Sequence, residues 1–295
     1  MNSPYLSFNQ FLKATFGERV QKIPLDAGLG CPNRDGSKGR GGCIYCDHRG
    51  SGTGAAAQGL SIRAQMERGI KWVAKRYGAR LYLPYFQSFS NTYAPISVLE
   101  KLYCEALDFA GIVGIAIATR PDCVTGDVLE MIGKVTNGRM VWMEYGLQSA
   151  SNETLERINR GHTVEDFIQC VNMTREAGFL ICAHVIFGLP GQGKEEMLDT
   201  VRLLADLGVQ GIKFHNLYML KSTKLFQMYK KRPFPLLKQG EYAELVAKAI
   251  KILPKDTVIQ RLTGDPPPHA GQARPLWSHD KHRTVKLIRE ELART

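Results

Sequence analysis

Cys31, Cys43 and Cys46 stand on one glycine-rich stretch that runs from Gly30-Cys31-Pro32-Asn33 to Gly42-Cys43-Ile44-Tyr45-Cys46. Three thiolates can hold three corners of a four-iron cluster and leave the fourth iron open to a further ligand. A loop with few Cβ atoms can fold around such a group and point its N–H donors at the sulfides. Zinc is a second reading of the same residues. A Cys-x-x-Cys pair is common in structural zinc sites, and His48 would complete a three-cysteine, one-histidine set. The eleven residues between Cys31 and Cys43 decide nothing alone.

The elements that must position this loop alternate. The segment Val20 to Leu25 reads as a strand and Ile62 to Tyr77 as a helix. Strands are expected at Leu81 to Phe86, Ile115 to Thr119, Met140 to Leu147, Ile181 to Phe187 and Gly211 to Leu217. Helices are expected between them at Ser97 to Ala110, Asp127 to Val135, Val164 to Ala177 and Lys194 to Leu207. Gly111, Gly178 and Gly208 stand just past three of these helices, as C-terminal caps do. Strand–helix alternation of this regularity implies parallel strands with right-handed crossovers. About six units fit where a complete eight-unit barrel takes ~250 residues, so the fold class is α/β, a partial (βα)6 TIM-type barrel.

The first domain is expected over residues 1–230, with the cysteine loop at 30–47. A small C-terminal extension over 231–295 is expected to pack on the barrel. Lys230 to Pro235 reads as the connector, Glu241 to Leu253 as a helix and Val258 to Leu262 as a further strand. Gly264-Asp265-Pro266-Pro267-Pro268 reads as a rigid turn, and His282 to Ala293 as a closing helix. At the other end, Phe8, Phe11, Leu12 and Phe16 fall at helical spacing and stop at Gly17.

The chain has 295 residues, 44% of them hydrophobic, enough for a large core. Its longest apolar run is too short to span a bilayer, and no secretory signal is legible at the N-terminus. Seven cysteines without an export signal point to a reducing, cytoplasmic setting. Cys104, Cys123, Cys170 and Cys182 lie singly among apolar neighbours and read as buried thiols. The net charge of +11 makes nucleic acid a candidate partner.

Lys213 and His215 alternate with Phe214 on an expected strand, so they share a face. If that face lines the barrel, burying both is costly unless they are used or hydrogen-bonded to each other. They are the substrate-side, catalytic candidates.

Further segments carry a resemblance. They are Tyr85-Phe-Gln-Ser-Phe-Ser-Asn-Thr-Tyr93, Ala118-Thr-Arg-Pro-Asp122, Glu144-Tyr-Gly-Leu-Gln-Ser149 and Ile158-Asn-Arg-Gly-His162. His184-Val-Ile-Phe-Gly-Leu-Pro-Gly191 and Lys213-Phe-His-Asn-Leu217 complete the set. Together with the cysteine loop they resemble the radical S-adenosylmethionine (SAM) superfamily. Within it, the chain resembles the Elongator-catalytic-subunit-like branch and its YhcC/YtqA (MnmL-type) family. The eleven-residue spacing departs from the usual three and fits the longer spacings of that branch.

The resemblance implies a [4Fe-4S] cluster on Cys31, Cys43 and Cys46, with SAM chelated at the open iron. One electron, from a reductant such as flavodoxin or ferredoxin, cleaves SAM to methionine and a 5′-deoxyadenosyl radical that abstracts hydrogen from substrate. It also implies cofactor-binding roles. Tyr45 would lie near the adenine, and Gln87 and Ser88 near the SAM amino group, where many relatives carry a glycine-rich strand end. Glu144 and Gln148 would face the ribose, Arg160 the SAM carboxylate, and the backbone at Gly188 the adenine.

The substrate is expected to be tRNA, at the side chain of the wobble uridine. The segment after the connector is too short for the acetyltransferase domain of the Elongator catalytic subunit. Thirty residues before Cys31 leave no room for the N-terminal cluster domain of the tRNA methylthiotransferases. The alternatives are a radical SAM oxidoreductase acting on a small metabolite or tetrapyrrole, and a zinc-stabilised RNA-binding module without catalysis.

Overall fold

The computed structural model describes residues 4–50, 52–266 and 273–294. Eight strands form one sheet: β1 (Leu6–Ser7), β2 (Val20–Leu25), β3 (Leu81–Phe86), β4 (Gly114–Thr119), β5 (Met140–Gln148), β6 (Leu180–Phe187), β7 (Gly211–Asn216) and β8 (Val258–Arg261). Every pairing is parallel, in the order β1-β8-β7-β6-β5-β4-β3-β2. The edge strands β1 and β2 do not pair, so the sheet curls into an open half-barrel. The expected six-unit rhythm is β2 to β7. The C-terminal segment continues the same sheet through β8, and β1 is too short to leave a pattern in the sequence.

The helices are α1 (Phe8–Phe16), α2 (Pro32–Asp35), α3 (Ile62–Tyr77), α4 (Ile96–Leu107), α5 (Gly126–Thr136), α6 (Asn152–Arg157), α7 (Val164–Glu176), α8 (Lys194–Asp206), α9 (Lys224–Lys231), α10 (Gln239–Ile252) and α11 (Lys281–Ala293). Four differ from expectation, one of them α2, a single short turn inside the cysteine loop. Helix α4 ends at Leu107 rather than running to Gly111. Gly111 has φ +78° and meets strand β3, where a Cβ would sit 2.2 Å from the Arg80 carbonyl. Helices α6 and α9 are short. Thr223 caps α9 by accepting from Phe226 N, and the helix absorbs Lys230 and Lys231, the first two residues of the expected connector. Of the proline turn, Pro267 and Pro268 lie outside the described residues.

Period-two alternation splits each strand between two environments. The odd face of β5, Val141, Met143, Tyr145 and Leu147, packs outward on the helices with Ile115, Ile117, Ile181, Val185, Ile212 and Phe214. The inner face starts apolar at the N-terminal ends, with Leu83, Ala116, Trp142, Cys182 and Val258. Helix α1 closes this end. Ser7 and Gln10 form its capping box, Gly17 at φ +77° ends it, and its Phe8 and Phe11 rings stand edge-on to Trp142 at 5.7 and 5.6 Å. Trp142 fits because Gly211 faces it; a Cβ there would lie 2.8 Å from the indole. Toward the C-terminal ends the inner face turns polar, through Lys22, Tyr85, Glu144, His184 and Lys213.

The Trp142 indole is fully buried and, among the described residues, its Nε1 has no hydrogen-bond partner. Replacement by Ala is expected to cost about 3–5 kcal/mol. Trp142→Phe is expected to cost clearly less, since it keeps ring contact and removes an unpaired donor. Urea unfolding of both variants measures the difference.

Candidate active site

The cysteine loop follows β2 at the C-terminal face, where the loops of a parallel barrel gather. Its backbone is fastened on both sides. Ile44 N donates to the Ile158 carbonyl (3.0 Å) and Leu225 N donates to the Ile44 carbonyl (2.8 Å). The Ile44 side chain is buried against Leu155, Ile158, Met219 and Leu225. Helix α2 begins directly after Cys31, with Pro32 at its first position, and Arg34 N donates to the Cys31 carbonyl at 2.8 Å. Cys46 N donates to the Cys43 carbonyl at 3.0 Å, a turn that brings those two residues together.

Donors surround the sulfurs. Asn33 Nδ2 binds the Asn159 carbonyl at 2.6 Å and lies 3.7 Å from Cys43 Sγ. Arg160 Nη1 is 3.5 Å from the same sulfur. Arg120, buried, donates to the Arg160 carbonyl at 2.6 Å and forks onto Asp122, which also takes Lys38 at 2.8 Å. Arg34 donates to the carbonyls of Cys46 and Asp47.

Burial pushes the Cys43 thiol up, but the guanidiniums of Arg160 and Arg120 outweigh it and hold the thiol below its ordinary value. Burial and the neighbouring Cys43 push Cys46 up to about 11.

The three thiols are free and share one loop, and donors of Asn33 and Arg160 point at the Cys43 sulfur, which suits a cluster taking three thiolates. Among the described residues no three His, Cys, Asp or Glu side chains converge on a single metal ion, and His48 is exposed.

Above the polar layer lies a cavity of about 490 Å³. It brings together Tyr45, Gln87, Gln148, Lys213 and His215 from the expected set. Gln148 stands where β5 shifts register, at φ +77°, a strained conformation for a residue with a side chain.

The other four are placed elsewhere. Ser88 is buried under Gly52, and among the described residues its Oγ has no hydrogen-bond partner. Arg160 gives its donors to the Gly146 carbonyl (2.7 Å), His162 (2.9 Å) and Cys43. Gly188, at φ +90°, faces Leu237 and Leu217 on the far side of β6. Glu144 lies beneath the cavity, fully buried. Its carboxylate takes Lys22 at 2.5 Å, His184 at 2.9 Å and Lys213. Lys213 also donates to the Tyr85 hydroxyl at 2.9 Å.

Burial opposes charge on Glu144, yet Lys213 and Lys22 hold its carboxyl well below the ordinary value. Burial pushes Lys213 down to about 7 and His184 down to about 4. His215 is pushed well below its ordinary value by burial and then by Arg261.

Sequence reasoning assigned no role to Lys22, Asn33, Arg120, Asp122, His184 or Arg261. Lys22 and His184 carried a usable signal, since each shares a strand face with inward residues: Val20 with Lys22, and Cys182 with His184. The pairing of Arg120 with the Arg160 carbonyl joins residues forty apart and had none.

Removing the Glu144 charge leaves buried cations unpaired. Glu144→Gln is therefore expected to destabilise by about 3–5 kcal/mol, and the double change with Lys213→Met by less than the sum. Denaturant titration of the cycle measures the coupling. The buried histidines also set a pH dependence. With its folded value near 4 and its unfolded value near 6.5, His184 takes up its proton earlier in the unfolded chain. Stability is then lost as pH falls from about 6.5 toward 4, and Glu144 deepens the loss below about 4.5. Melting temperatures across that range, compared with His184→Gln, check the sign.

Residues 28–204 match the family profile of the Radical SAM superfamily, and residues 209–294 match the Radical SAM C-terminal domain. Protein YtqA of Bacillus subtilis is 36% identical over 288 residues, covering 98% of this chain and 89% of that protein. The tRNA uridine(34) acetyltransferase of Methanocaldococcus jannaschii is 30% identical over 159 residues, 52% of this chain and 29% of the relative. Among solved structures, the archaeal Elongator protein 3 of Methanocaldococcus infernus with an N-terminal deletion superposes with a TM-score of 0.68 at 19% identity. That match covers 85% of this chain and 58% of the other, and it supports the half-barrel fold. The cofactors of the superfamily, a [4Fe-4S] cluster and SAM, meet a fitting donor set in Cys31, Cys43 and Cys46. By profile and by relatives of nearly equal length, this chain belongs to the radical SAM superfamily, in the YhcC/YtqA family of its Elongator-like branch.

Proposed function

We propose that this radical SAM enzyme modifies tRNA, acting on the side chain of the wobble uridine. The observation that carries the reading is a donor-lined cavity directly under the cysteine loop, in a chain with eleven excess positive charges. A relative named for tRNA uridine(34), similar over half of this chain, supports the choice of nucleoside. A base must leave its stack to enter such a cavity, and an anticodon loop makes that inexpensive.

In this reading Cys31, Cys43 and Cys46 hold the cluster, and the bound cluster with SAM supplies the hydrogen-abstracting radical. Tyr45, Gln87 and Gln148 border SAM from the cavity walls. Arg160 positions Cys43 and the end of β5 rather than reaching SAM with its donors. Ser88 and Gly188 shape the strand ends from behind, and Glu144 anchors Lys213. Lys213 and His215 face the substrate, where an imidazole and an amine whose proton affinities burial lowers can hold or give a proton. A flavodoxin or ferredoxin supplies the electron in the cytoplasm.

Anaerobically reconstituted protein is expected to contain iron and sulfide in four-iron proportion and to release 5′-deoxyadenosine from SAM under dithionite. Cys43→Ala is expected to lose both. Binding of tRNA is expected to weaken by tenfold or more between ~50 and ~200 mM salt, as counterion release dictates. Nucleoside analysis of tRNA from a deletion strain decides the substrate: an accumulated wobble-uridine precursor supports it, and unchanged nucleosides reject it.

A further inference from the structure

Strand register places three basic side chains in one row across the cavity wall. His184 on β6 pairs with Lys213 on β7, and Lys213 pairs with Arg261 on β8. Neighbouring strands lie ~4.8 Å apart, so this is a ladder of cationic or protonatable groups on a single face. His215, two residues beyond Lys213 on the same face, stands over it, with its ring 5.6 Å from that of His184. Groups of like charge side by side on a sheet destabilise it, and burial enlarges the cost.

Compensation within the row is incomplete. Glu144 is the acidic group of this layer, and its two oxygens already take Lys22, His184 and Lys213. Arg261 lines the cavity and, among the described residues, makes no hydrogen bond or ion pair. The acidic groups at the rim are engaged with other partners: Asp265 with Lys281 at 2.9 Å, and Asp47 with Arg49 N at 3.0 Å. Two further nitrogens of the layer, His215 Nε2 and Gln260 Nε2, are buried without a hydrogen-bond partner among the described residues. Burial first, and then the neighbouring cations Lys213 and Arg261, hold the proton affinities of His184 and His215 below their ordinary values.

We propose that the His184–Lys213–Arg261 ladder, with His215 above it, receives an oxyanion group of the substrate, a carboxylate or a phosphate, at the floor of the cavity. The ladder offers a forked guanidinium and an ammonium at a spacing that two oxygens of one anionic group can bridge. Such a group would supply the missing counter-charge to Arg261 and fix which carbon of the substrate points toward the cysteine loop. The proposal deepens the reading of this cavity as the substrate site and rests on it.

The test uses the full chain, anaerobically reconstituted and labelled at histidine. It is titrated with sodium acetate and, separately, with inorganic phosphate, at constant pH and at an ionic strength held with chloride. The His184 and His215 ring resonances, assigned by substitution, report occupancy. At least one anion is expected to shift them saturably, and the anion that binds more tightly identifies the source as carboxylate or phosphate. Arg261→Gln is expected to weaken binding tenfold or more and to keep its fold, because Arg261 is exposed and, among the described residues, makes no hydrogen bond or ion pair. Lys101→Gln, an equal charge loss on the outer helix α4, is expected to leave binding unchanged. If neither anion moves the resonances beyond chloride, or R261Q binds as tightly as the parent, the proposal is wrong. Iron content and 5′-deoxyadenosine release, measured on the same samples, report separately on the radical SAM reading.

Discussion

The Glu144 carboxylate is the contact on which the barrel interior depends. It joins four strands: Lys22 from β2, Glu144 itself from β5, His184 from β6 and Lys213 from β7. Desolvating that many ionisable groups costs several kcal/mol, and only close mutual pairing offsets it. The pairing closes the span between the edge strand β2 and the opposite wall, which backbone hydrogen bonds leave open. It also divides the interior. Below it, Trp142 and the phenylalanines of α1 make a dry plug; above it, the cavity is lined by polar groups.

The cysteine loop is held by a different device. A glycine-rich loop has little side-chain mass to pack, so its shape must come from its backbone and from neighbours. Ile44 anchors it in the apolar pocket between α6 and α9. Asn33, Asn159 and Gly42 then tie it to the segment after β5. Arg160 and Arg120 bring positive charge to the Cys43 sulfur while being fixed by carbonyls and by Asp122. The Cys43 thiol is therefore placed and electrostatically prepared by the same residues.

Much of the fold was legible because parallel strands buried on both faces and helices capped by glycine leave strong patterns. The expected β3 and α3 match their observed bounds residue for residue. The short elements β1, α2 and α6 were not legible, since two to six residues carry too little periodicity. The site was legible in part. Tyr45, Gln87, Gln148, Lys213 and His215 do share one cavity. Glu144 stands four residues before Gln148, and that offset moves it a whole layer down the barrel, into an ion-pair cluster. Arg160 looked like a ligand-facing guanidinium, yet local carbonyls and a sulfur use its donors.

By itself, the sequence determined what local chemistry can encode. It held the cysteine spacing, the alternation of strand and helix, the inward or outward sense of each strand residue, and the excess of positive charge. Those properties depend on neighbours a few positions away or on simple totals. The tertiary structure alone decided which inward residues meet. Register between strands aligned His184, Lys213 and Arg261, and the curl of the sheet carried Lys22 across to Glu144. Such contacts join residues tens to hundreds of positions apart, and only the packed barrel sets the distances on which their electrostatics depend.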